Sequence, residues 1–244
     1  MDLQDRIYIL DGATGTALQQ FWLTETDFRG EEFAQHPIPL KGNNDVLNIT
    51  RPDVIRQVHQ NYIDAGADII ETNTFNANAI SQTEYGCSAW VERFNLEGAR
   101  LAKETASACK ERKIYVAGSI GPTDKSLTLA PDPDQPTYRI VDFDTLANAY
   151  ASQVTALIEG GVDLLLVETI YDGLNAKAAL YAIAKVQEEK GTHLPVMLSA
   201  TVNDKSGRTL TGQSLEALFT SLSHYPILSF GLNCSFGAKE LKPM

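Results

Sequence analysis

The chain has 244 residues, of which 43% are hydrophobic and 21% are charged, so it can bury the core of one large domain. Its formal net charge of −11 argues against a nucleic-acid partner, because an acidic surface repels phosphate groups. No apolar run approaches the ~20 residues that span a bilayer, and the N-terminal segment does not resemble a secretory signal. Three widely spaced cysteines argue against a disulfide framework and favour the reducing cytoplasm.

Short apolar runs alternate with helical patterns along the whole sequence. The runs are rich in leucine and β-branched residues and lack strict alternation, which is typical of strands buried on both faces of a sheet. Pro52 is typical of a helix start, and Gly66 and Gly191 are typical of helix ends. The predicted strands are 7–10, 68–70, 114–117, 162–167, 195–200 and 227–230. The predicted helices are 52–65, 89–111, 144–160, 175–190 and 214–222.

Repeating strand–helix units predict an α/β fold with a parallel sheet. We expect a (β/α)8 TIM barrel, with a doubly wound sheet as the alternative. A complete barrel takes ~250 residues and eight units, whereas about six units are recognisable here. We therefore expect one barrel domain over residues 1–244 that is incomplete at its C-terminus, with exposed sheet edges that lower its stability. Residues 25–48 and 122–142 are predicted to be long loops, which are often functional.

Every predicted strand is followed at once by polar residues. In parallel α/β folds the active groups lie at the carboxyl ends of the strands. One edge of the fold is therefore expected to carry carboxylates, hydroxyls, amides and a thiol. The polar segments after the six predicted strands are 11–16, 71–74, 118–123, 168–169, 201–203 and 233–235.

Two of these strand ends offer the groups that an amino acid requires. Asp11 and Glu168 are suited to an ammonium group, and the backbone N–H groups of the turn at 12–15 are suited to a carboxylate. The same turn is equally explained by glycines needed for backbone geometry. Glu168 directly follows an apolar run, so it is either a site carboxylate or an exposed residue just beyond the rim. Glu71 follows the same pattern but is the weaker candidate, since neighbouring side chains alternate along a strand.

Cys234, at the end of the sixth predicted strand, has the position of a metal ligand. A cysteine taken alone is more often an inert small hydrophobic residue than a ligand. Cys87 and Cys109 lie away from the predicted strand ends, and we expect structural roles for them. The chain has neither a Cys-x-x-Cys pair nor a spaced histidine pair, so local motifs cannot build a complete zinc site.

Several segments together resemble the homocysteine-binding domain of cobalamin-dependent methionine synthase, a member of the homocysteine S-methyltransferase family. The resemblance extends over essentially the whole chain. Residues 42–45 (GNND) and the second long loop resemble the cobalamin-dependent branch in particular. The segments that carry the resemblance are 11–16 (DGATGT), 42–45, 50–55, 65–75, 118–122, 168–169 and 231–235 (GLNCS).

The resemblance implies a (β/α)8 barrel that binds homocysteine and zinc. It implies three cysteine ligands for zinc, of which Cys234 matches the first, while the adjacent pair has no counterpart in this chain. Cys87 and Cys109 do not match the pair. The implied homocysteine-binding residues are Asp11, Gly12, Ala13, Thr14, Thr72, Asn73, Ser119, Glu168 and Asn233.

The activity that the resemblance implies is methyl transfer in methionine biosynthesis. Zinc would hold the homocysteine thiol as a thiolate, which would take a methyl group from methylcobalamin, itself remethylated from methyltetrahydrofolate. Cobalamin and methyltetrahydrofolate are expected to bind to other domains of the same polypeptide, so this chain is expected to be inactive by itself. Two alternatives stay open: a stand-alone homocysteine methyltransferase that uses betaine or S-methylmethionine, and a non-catalytic barrel fragment.

Overall fold

A computed structural model describes residues 6–244, which form two compact units. The first unit takes in the described residues up to 119 and residues 156–164, and the second takes in residues 120–155 and 165–244. Between residues 6 and 244, every helix is too short or too polar to cross a membrane.

The first unit is mainly helical and holds the first two strands. β1 and β2 pair in parallel, with Ile69 opposite Tyr115 and Glu71 opposite Ala117. Single 3-10 turns occupy Asn44–Val46, Ser81–Thr83 and Ser88–Trp90. The elements are α1 (Thr14–Gln19), α2 (Glu25–Arg29), α3 (Leu47–Thr50), α4 (Pro52–Asp64), β1 (Ile69–Glu71), α5 (Val91–Ala108) and β2 (Tyr115–Ile120), of which β2 ends one residue inside the second unit.

The second unit repeats the strand–helix order with three strands. β3 pairs in parallel with β4, and β4 pairs in parallel with β5. The register of β3 against β4 shifts between Val167 and Ile170, where one strand carries a bulge. The elements are α6 (Phe143–Glu159), whose last turn belongs to the first unit, β3 (Leu164–Ile170), whose first residue does too, α7 (Gly173–Lys190), β4 (Val196–Ala200), α8 (Leu215–Leu222), β5 (Ser229–Leu232) and α9 (Ala238–Leu241).

Local sequence signals account for the main helix ends. Pro52 occupies the first turn of α4, where its missing N–H costs nothing. Asp172 caps α7 by accepting hydrogen bonds from the backbone N–H groups of Leu174 and Asn175. Gly191 ends the same helix with a φ of 61°, in the left-handed region that favours glycine.

Each unit has its own buried side chains. In the first unit the buried faces of α4 and α5 contribute Ile55, Val58 and Phe94. In the second unit Leu166 of β3 and Leu198 of β4 are 1% exposed. Burial of each such side chain stabilises the fold by ~1.5–3 kcal/mol.

The predicted α/β class with parallel strands is confirmed, and all five predicted helices are present within three residues of their expected ends. The predicted strand at 7–10 is wrong as a strand, because only Leu10 forms a bridge, with Ile69. The described residues therefore hold five strands rather than six. The first long loop, 25–48, is also more ordered than expected, since it contains α2 and the start of α3. The second long loop, 122–142, has no helix or strand, as predicted.

Candidate functional site

Asp11 is anchored to the end of β1 in the first unit. Its Oδ2 accepts a hydrogen bond from the backbone N–H of Glu71 at 2.9 Å. Its own backbone N–H donates to the carbonyl oxygen of Ile69, also at 2.9 Å. The first predicted carboxylate is therefore fixed at the carboxyl end of a strand, where parallel α/β folds place their active groups.

The turn after Asp11 packs against Tyr62, a residue of α4 that the sequence analysis missed. A Cβ on Gly12 would lie 3.2 Å from the Tyr62 hydroxyl oxygen, so a larger residue there would crowd the tyrosine ring. The same hydroxyl donates to the carbonyl oxygen of Ala13 at 3.3 Å. Burial, with the carboxylates of Asp11 and Glu71 nearby, raises the pKa of Tyr62 and keeps it a neutral donor.

Thr72 and Ser119, both predicted to bind substrate, are brought into direct contact. The backbone N–H of Ser119 donates to Thr72 Oγ1 at 2.9 Å. Thr74 Oγ1 donates to the carbonyl oxygen of Ser119 at 2.8 Å, so the 2.6 Å contact between the two threonine hydroxyls has Thr72 as its donor. Thr72 and Ser119 are at most 2% exposed, so these hydroxyl contacts bind the end of β1 to the end of β2.

The side chain of Asn73 is held by hydrogen bonds to two other asparagines, Asn44 and Asn48. Its Nδ2 donates to the carbonyl oxygen of Asn44 at 2.7 Å and to Asn48 Oδ1 at 3.0 Å. Asn48 Nδ2 in turn donates to the carbonyl oxygens of Asn73 and Phe94. Gly98 of α5 leaves room for this arrangement, since a Cβ there would lie 2.7 Å from Asn48 Nδ2. Both amide hydrogens of Asn73 are used, and its Oδ1 is the acceptor that remains for a ligand.

Residues 42–45, which resemble the cobalamin-dependent branch, form a buried polar cluster. Asp45 is 2% exposed and accepts hydrogen bonds from Gln82 Nε2 at 3.0 Å and from the backbone N–H of Asn76 at 3.3 Å. Asn43 and Gln82 exchange a pair of amide hydrogen bonds. Burial raises the pKa of Asp45 to about 7 despite these donors, because no cation neutralises it in the contacts described. Buried hydrogen bonds within the first unit therefore hold the segment at 42–45 in place.

In the second unit, Glu168 lies beside a narrow cavity of about 10 Å³. Two tyrosines, Tyr150 and Tyr171, also line it. Burial raises the pKa of Tyr171 to about 12, and the nearby Asp172 carboxylate acts in the same direction. A cavity of this size has room for about one water molecule.

The side chain of Asn233 connects three strand ends of the second unit. Its Oδ1 accepts from the backbone N–H of Thr169 at 3.1 Å and from Ser199 Oγ at 2.8 Å. Its Nδ2 donates to Thr169 Oγ1 at 2.8 Å and to Cys234 Sγ at 3.3 Å. The predicted residues Asn233 and Cys234 are therefore in contact, next to the residue that follows Glu168.

The second long loop is fastened to the start of α7. The Asp172 carboxylate accepts from both the backbone N–H and the hydroxyl of Thr128, at 3.0 and 2.7 Å. Asn175 Oδ1 accepts from the backbone N–H of Leu127 at 2.9 Å. These bonds hold an irregular segment in one place, which neither loop length nor composition predicts.

The donors present in residues 6–244 do not fit a zinc site. No group of three or more histidine, cysteine, aspartate or glutamate side chains is arranged there to hold a metal ion. Cys234 is exposed, Cys87 is buried beside His36, and Cys109 lies 3.5 Å from a Glu111 carboxylate oxygen. Structural and catalytic zinc sites take at least three protein ligands, whereas this arrangement supplies one thiol.

Comparison with known proteins decides the family. The sequence model of the homocysteine S-methyltransferase family matches residues 8–244. The chain belongs to the homocysteine S-methyltransferase family. This confirms the resemblance at the level of the family and makes the chain a homocysteine methyltransferase-type domain.

Solved structures of the homocysteine methyltransferase MmuM from Escherichia coli share the fold. Its metallated form matches with a TM-score of 0.73 and 22% sequence identity, over 98% of this chain and 78% of that chain. Its oxidized form matches with a TM-score of 0.71 and 22% identity, over 95% and 75%. Its apo form matches with a TM-score of 0.67 and 21% identity, over 98% of this chain and 75% of that chain. At 21–22% identity, these structural matches show a shared fold and no more.

Proposed function

We propose that this chain is the homocysteine-binding module of a cobalamin-dependent methionine synthase, and that it presents homocysteine for methylation to methionine. The observation that carries the proposal is the family match over residues 8–244. The choice of branch rests on the resemblance of residues 42–45, a segment that contacts the proposed site through the hydrogen bond from Asn73 Nδ2 to the Asn44 carbonyl oxygen.

In the first unit, the proposed contacts recognise the amino-acid end of homocysteine. The backbone N–H groups of Gly12, Ala13 and Thr14 are suited to the carboxylate. Asp11 and the Oδ1 of Asn73 are suited to the ammonium group, because both are acceptors at the end of β1. Thr72 and Ser119 act in this proposal by fixing the strand ends that carry those acceptors.

In the second unit, the proposed residues are Glu168 and Cys234, with Asn233 as a neighbour that is hydrogen-bonded to Thr169 and Cys234. Glu168 supplies a second carboxylate for an ammonium group. Cys234 supplies a thiol at a strand end, where the resemblance implies one of three zinc ligands. Because the described donors do not fit zinc, no step of the proposed reaction depends on the metal here.

The proposed reaction is a displacement at a methyl carbon. The thiol of homocysteine releases its proton to solvent and the thiolate attacks the methyl carbon of the donor. A new sulfur–carbon bond forms, and the bond between methyl and donor breaks with its electron pair staying on the donor. The thiolate is the nucleophile, since the protonated thiol reacts poorly. The methyl donor is methylcobalamin in this proposal, carried with methyltetrahydrofolate by other domains of the same polypeptide.

A stand-alone homocysteine methyltransferase that uses S-methylmethionine or betaine is the second candidate. It is favoured by the structural likeness to MmuM, which covers 98% of this chain. Methionine formation measured with each donor in turn distinguishes the two candidates. A third reading, a non-catalytic barrel fragment, is favoured by the single thiol at Cys234, and absence of homocysteine binding would support it.

Calorimetric titration with L-homocysteine under reducing conditions tests the proposal. We expect saturable binding that Glu168→Gln weakens about tenfold or more, because a charge-assisted hydrogen bond is lost. Glu216→Gln, an exposed carboxylate in the first turn of α8, is the matched control and should bind normally. 4-Mercaptobutanoic acid, which lacks the ammonium group, should bind weakly to the parent and equally weakly to the Glu168 variant.

No binding of homocysteine by a folded protein would contradict the proposal, as would full affinity in Glu168→Gln. Zinc content measured on the same samples addresses the metal separately. Stoichiometric zinc would mean that Cys234 has ligand partners that the described arrangement does not contain.

A further inference from the structure

The amide of Asn233 has no hydrogen-bonding capacity left over. An asparagine side chain offers two donors and two acceptor positions. Here Oδ1 accepts from Thr169 N and Ser199 Oγ, while Nδ2 donates to Thr169 Oγ1 and Cys234 Sγ. A side chain whose four positions are all taken by protein atoms cannot also bind a substrate without breaking one of these bonds.

The orientation of this amide follows from its surroundings. The backbone N–H of Thr169 can only donate, so the atom that faces it at 3.1 Å is the amide oxygen. The amide nitrogen is therefore the atom that lies 3.3 Å from Cys234 Sγ, and it presents an N–H to the sulfur. The hydroxyl of Ser199, 2.8 Å from Oδ1, holds the amide in the same orientation.

The backbone around this amide is strained. Thr169 has a φ of 56° and Cys234 a φ of 60°, in the left-handed region that non-glycine residues seldom adopt. For a β-branched residue such as threonine the conformation is a genuine outlier. Such conformations are unfavourable and persist only where neighbouring contacts fix them. Ser235, the next residue, has a φ of 58° as well. Asn233 makes two contacts to Thr169 and one to Cys234, so it bridges two of these three strained residues.

We infer that Asn233 is a positioning residue, which Ser199 and Thr169 hold in place and which fixes the sulfur of Cys234 and the peptide that carries Glu168. The importance of Glu168 and Cys234 rests on the proposed function, whereas the hydrogen bonds of Asn233 are independent of it. Asn233 acts through its neighbours and leaves contact with homocysteine to other residues. Ser199, inside β4, thereby becomes part of the site's support.

Two substitutions separate this role from a general loss of packing. Asn233→Asp keeps the shape and both acceptor contacts, and the Thr169 hydroxyl can turn to donate to the new oxygen. The change that remains is at Cys234, where a carboxylate oxygen replaces an N–H donor. Ser199→Ala removes one of the bonds that hold the amide. Ser229→Ala, on the neighbouring strand β5, is the matched control, because no hydrogen bond of its side chain is described.

The first readout is the rate at which iodoacetamide alkylates Cys234 at a fixed pH of about 8, resolved by peptide mass spectrometry. An N–H donor stabilises the attacking sulfur anion and a carboxylate repels it. We expect alkylation about tenfold slower in Asn233→Asp and about threefold slower in Ser199→Ala, in line with the loss of one hydrogen bond or part of one. Cys109, beside Glu111, is the internal reference and should keep its rate in every variant.

The second readout is the side-chain amide resonance of Asn233 in protein labelled with 15N-asparagine, assigned by its loss in Asn233→Asp. Its chemical shift should change in Cys234→Ala and in Ser199→Ala and should be unchanged in Ser229→Ala. Parental alkylation rates in both test variants, equal changes at Cys109, or an amide signal indifferent to Cys234→Ala would each overturn the inference. Neither readout uses homocysteine, so failure of the proposed function would leave both results intact.

Discussion

Gly160 lies directly after α6 and leaves no room for a side chain. A Cβ built on it would lie 2.3 Å from the Cβ of Ala99 on α5, and 3.3 Å from the carbonyl oxygens of Leu96 and Ala156. Ala99 is fully buried. We predict that Gly160→Ala destabilises the first unit through this single contact.

The magnitude follows from the distances. Carbon atoms prefer a separation of ~3.5–4.0 Å, so the new contact is more than about 1 Å too short. Neither Cβ can rotate away, and the two backbones must separate, which places the cost near the upper end of the ~1–3 kcal/mol known for overpacking. The lower entropy of the unfolded alanine chain offsets up to ~1 kcal/mol. We therefore expect Gly160→Ala to lower the free energy of unfolding by ~2 kcal/mol.

Urea unfolding followed by circular dichroism measures this change, and Ala99→Gly supplies a matched partner. Alone, Ala99→Gly should cost ~1 kcal/mol through helix propensity. In the double variant the methyl group only moves from α5 to the end of α6, so we expect it to be ~1–2 kcal/mol more stable than the sum of the single changes. The rescue should be partial, because the carbonyl oxygen of Leu96 stays close. An unaffected Gly160→Ala variant, or strict additivity in the double variant, would refute the reasoning.

Three further predictions concern buried polar groups and thiols. Asn48→Ala should lower the free energy of unfolding by ~2–4 kcal/mol, because two buried carbonyl oxygens lose their donor, and urea unfolding would show it. Burial raises the pKa of Asp45 to about 7, so its contribution to stability is complete below about pH 4 and is lost as the pH rises through 7. Burial lowers the pKa of His59 to about 4, so its contribution is complete above about pH 6.5 and is lost on acidification towards 4. The free energy of unfolding, measured from about pH 4.5 to 8, tests both groups. Its decline with rising pH should disappear in Asp45→Asn, and its decline on acidification should disappear in His59→Phe. Unchanged pH profiles would contradict this. Burial raises the pKa of the Cys87 thiol to about 11, so iodoacetamide should label the exposed Cys234 in the native protein and reach Cys87 only in urea.

The sequence predicts the regular elements well where local signals are strong. The helix from Pro52 carries its own start signal and an apolar face, and the structure places it at Pro52–Asp64. The strand predicted at 7–10 lacks such support, because four apolar residues fit a strand or an irregular run equally well, and only Leu10 pairs. The helix Glu25–Arg29 was missed inside a loop, although Thr24 and Asp27 form the capping box that could have revealed it.

The candidate site, too, could be predicted only in part from the sequence. The polar residues after each strand could be named from the sequence, and the contact between Thr72 and Ser119 follows from parallel pairing of their strands. Their supports could not be named. Tyr62, Asn48 and Ser199 lie within helices or strands, and only the tertiary fold decides that they face a strand end. Whether these predicted residues bind homocysteine stays a prediction until affinity is measured.

The bulge in β3 has a consequence for what this strand can display at its carboxyl end. Leu164 to Val167 are buried in succession, Glu168 and Thr169 are partly open, and Ile170 is buried again. The extra residue shifts the register against β4 between the interior of the strand and its carboxyl end. A substitution in the two-residue interval can therefore alter what the strand displays at its end, while the aliphatic residues on either side keep their partners in β4. The bulge therefore lets the strand end in two partly open polar residues without repacking of its interior.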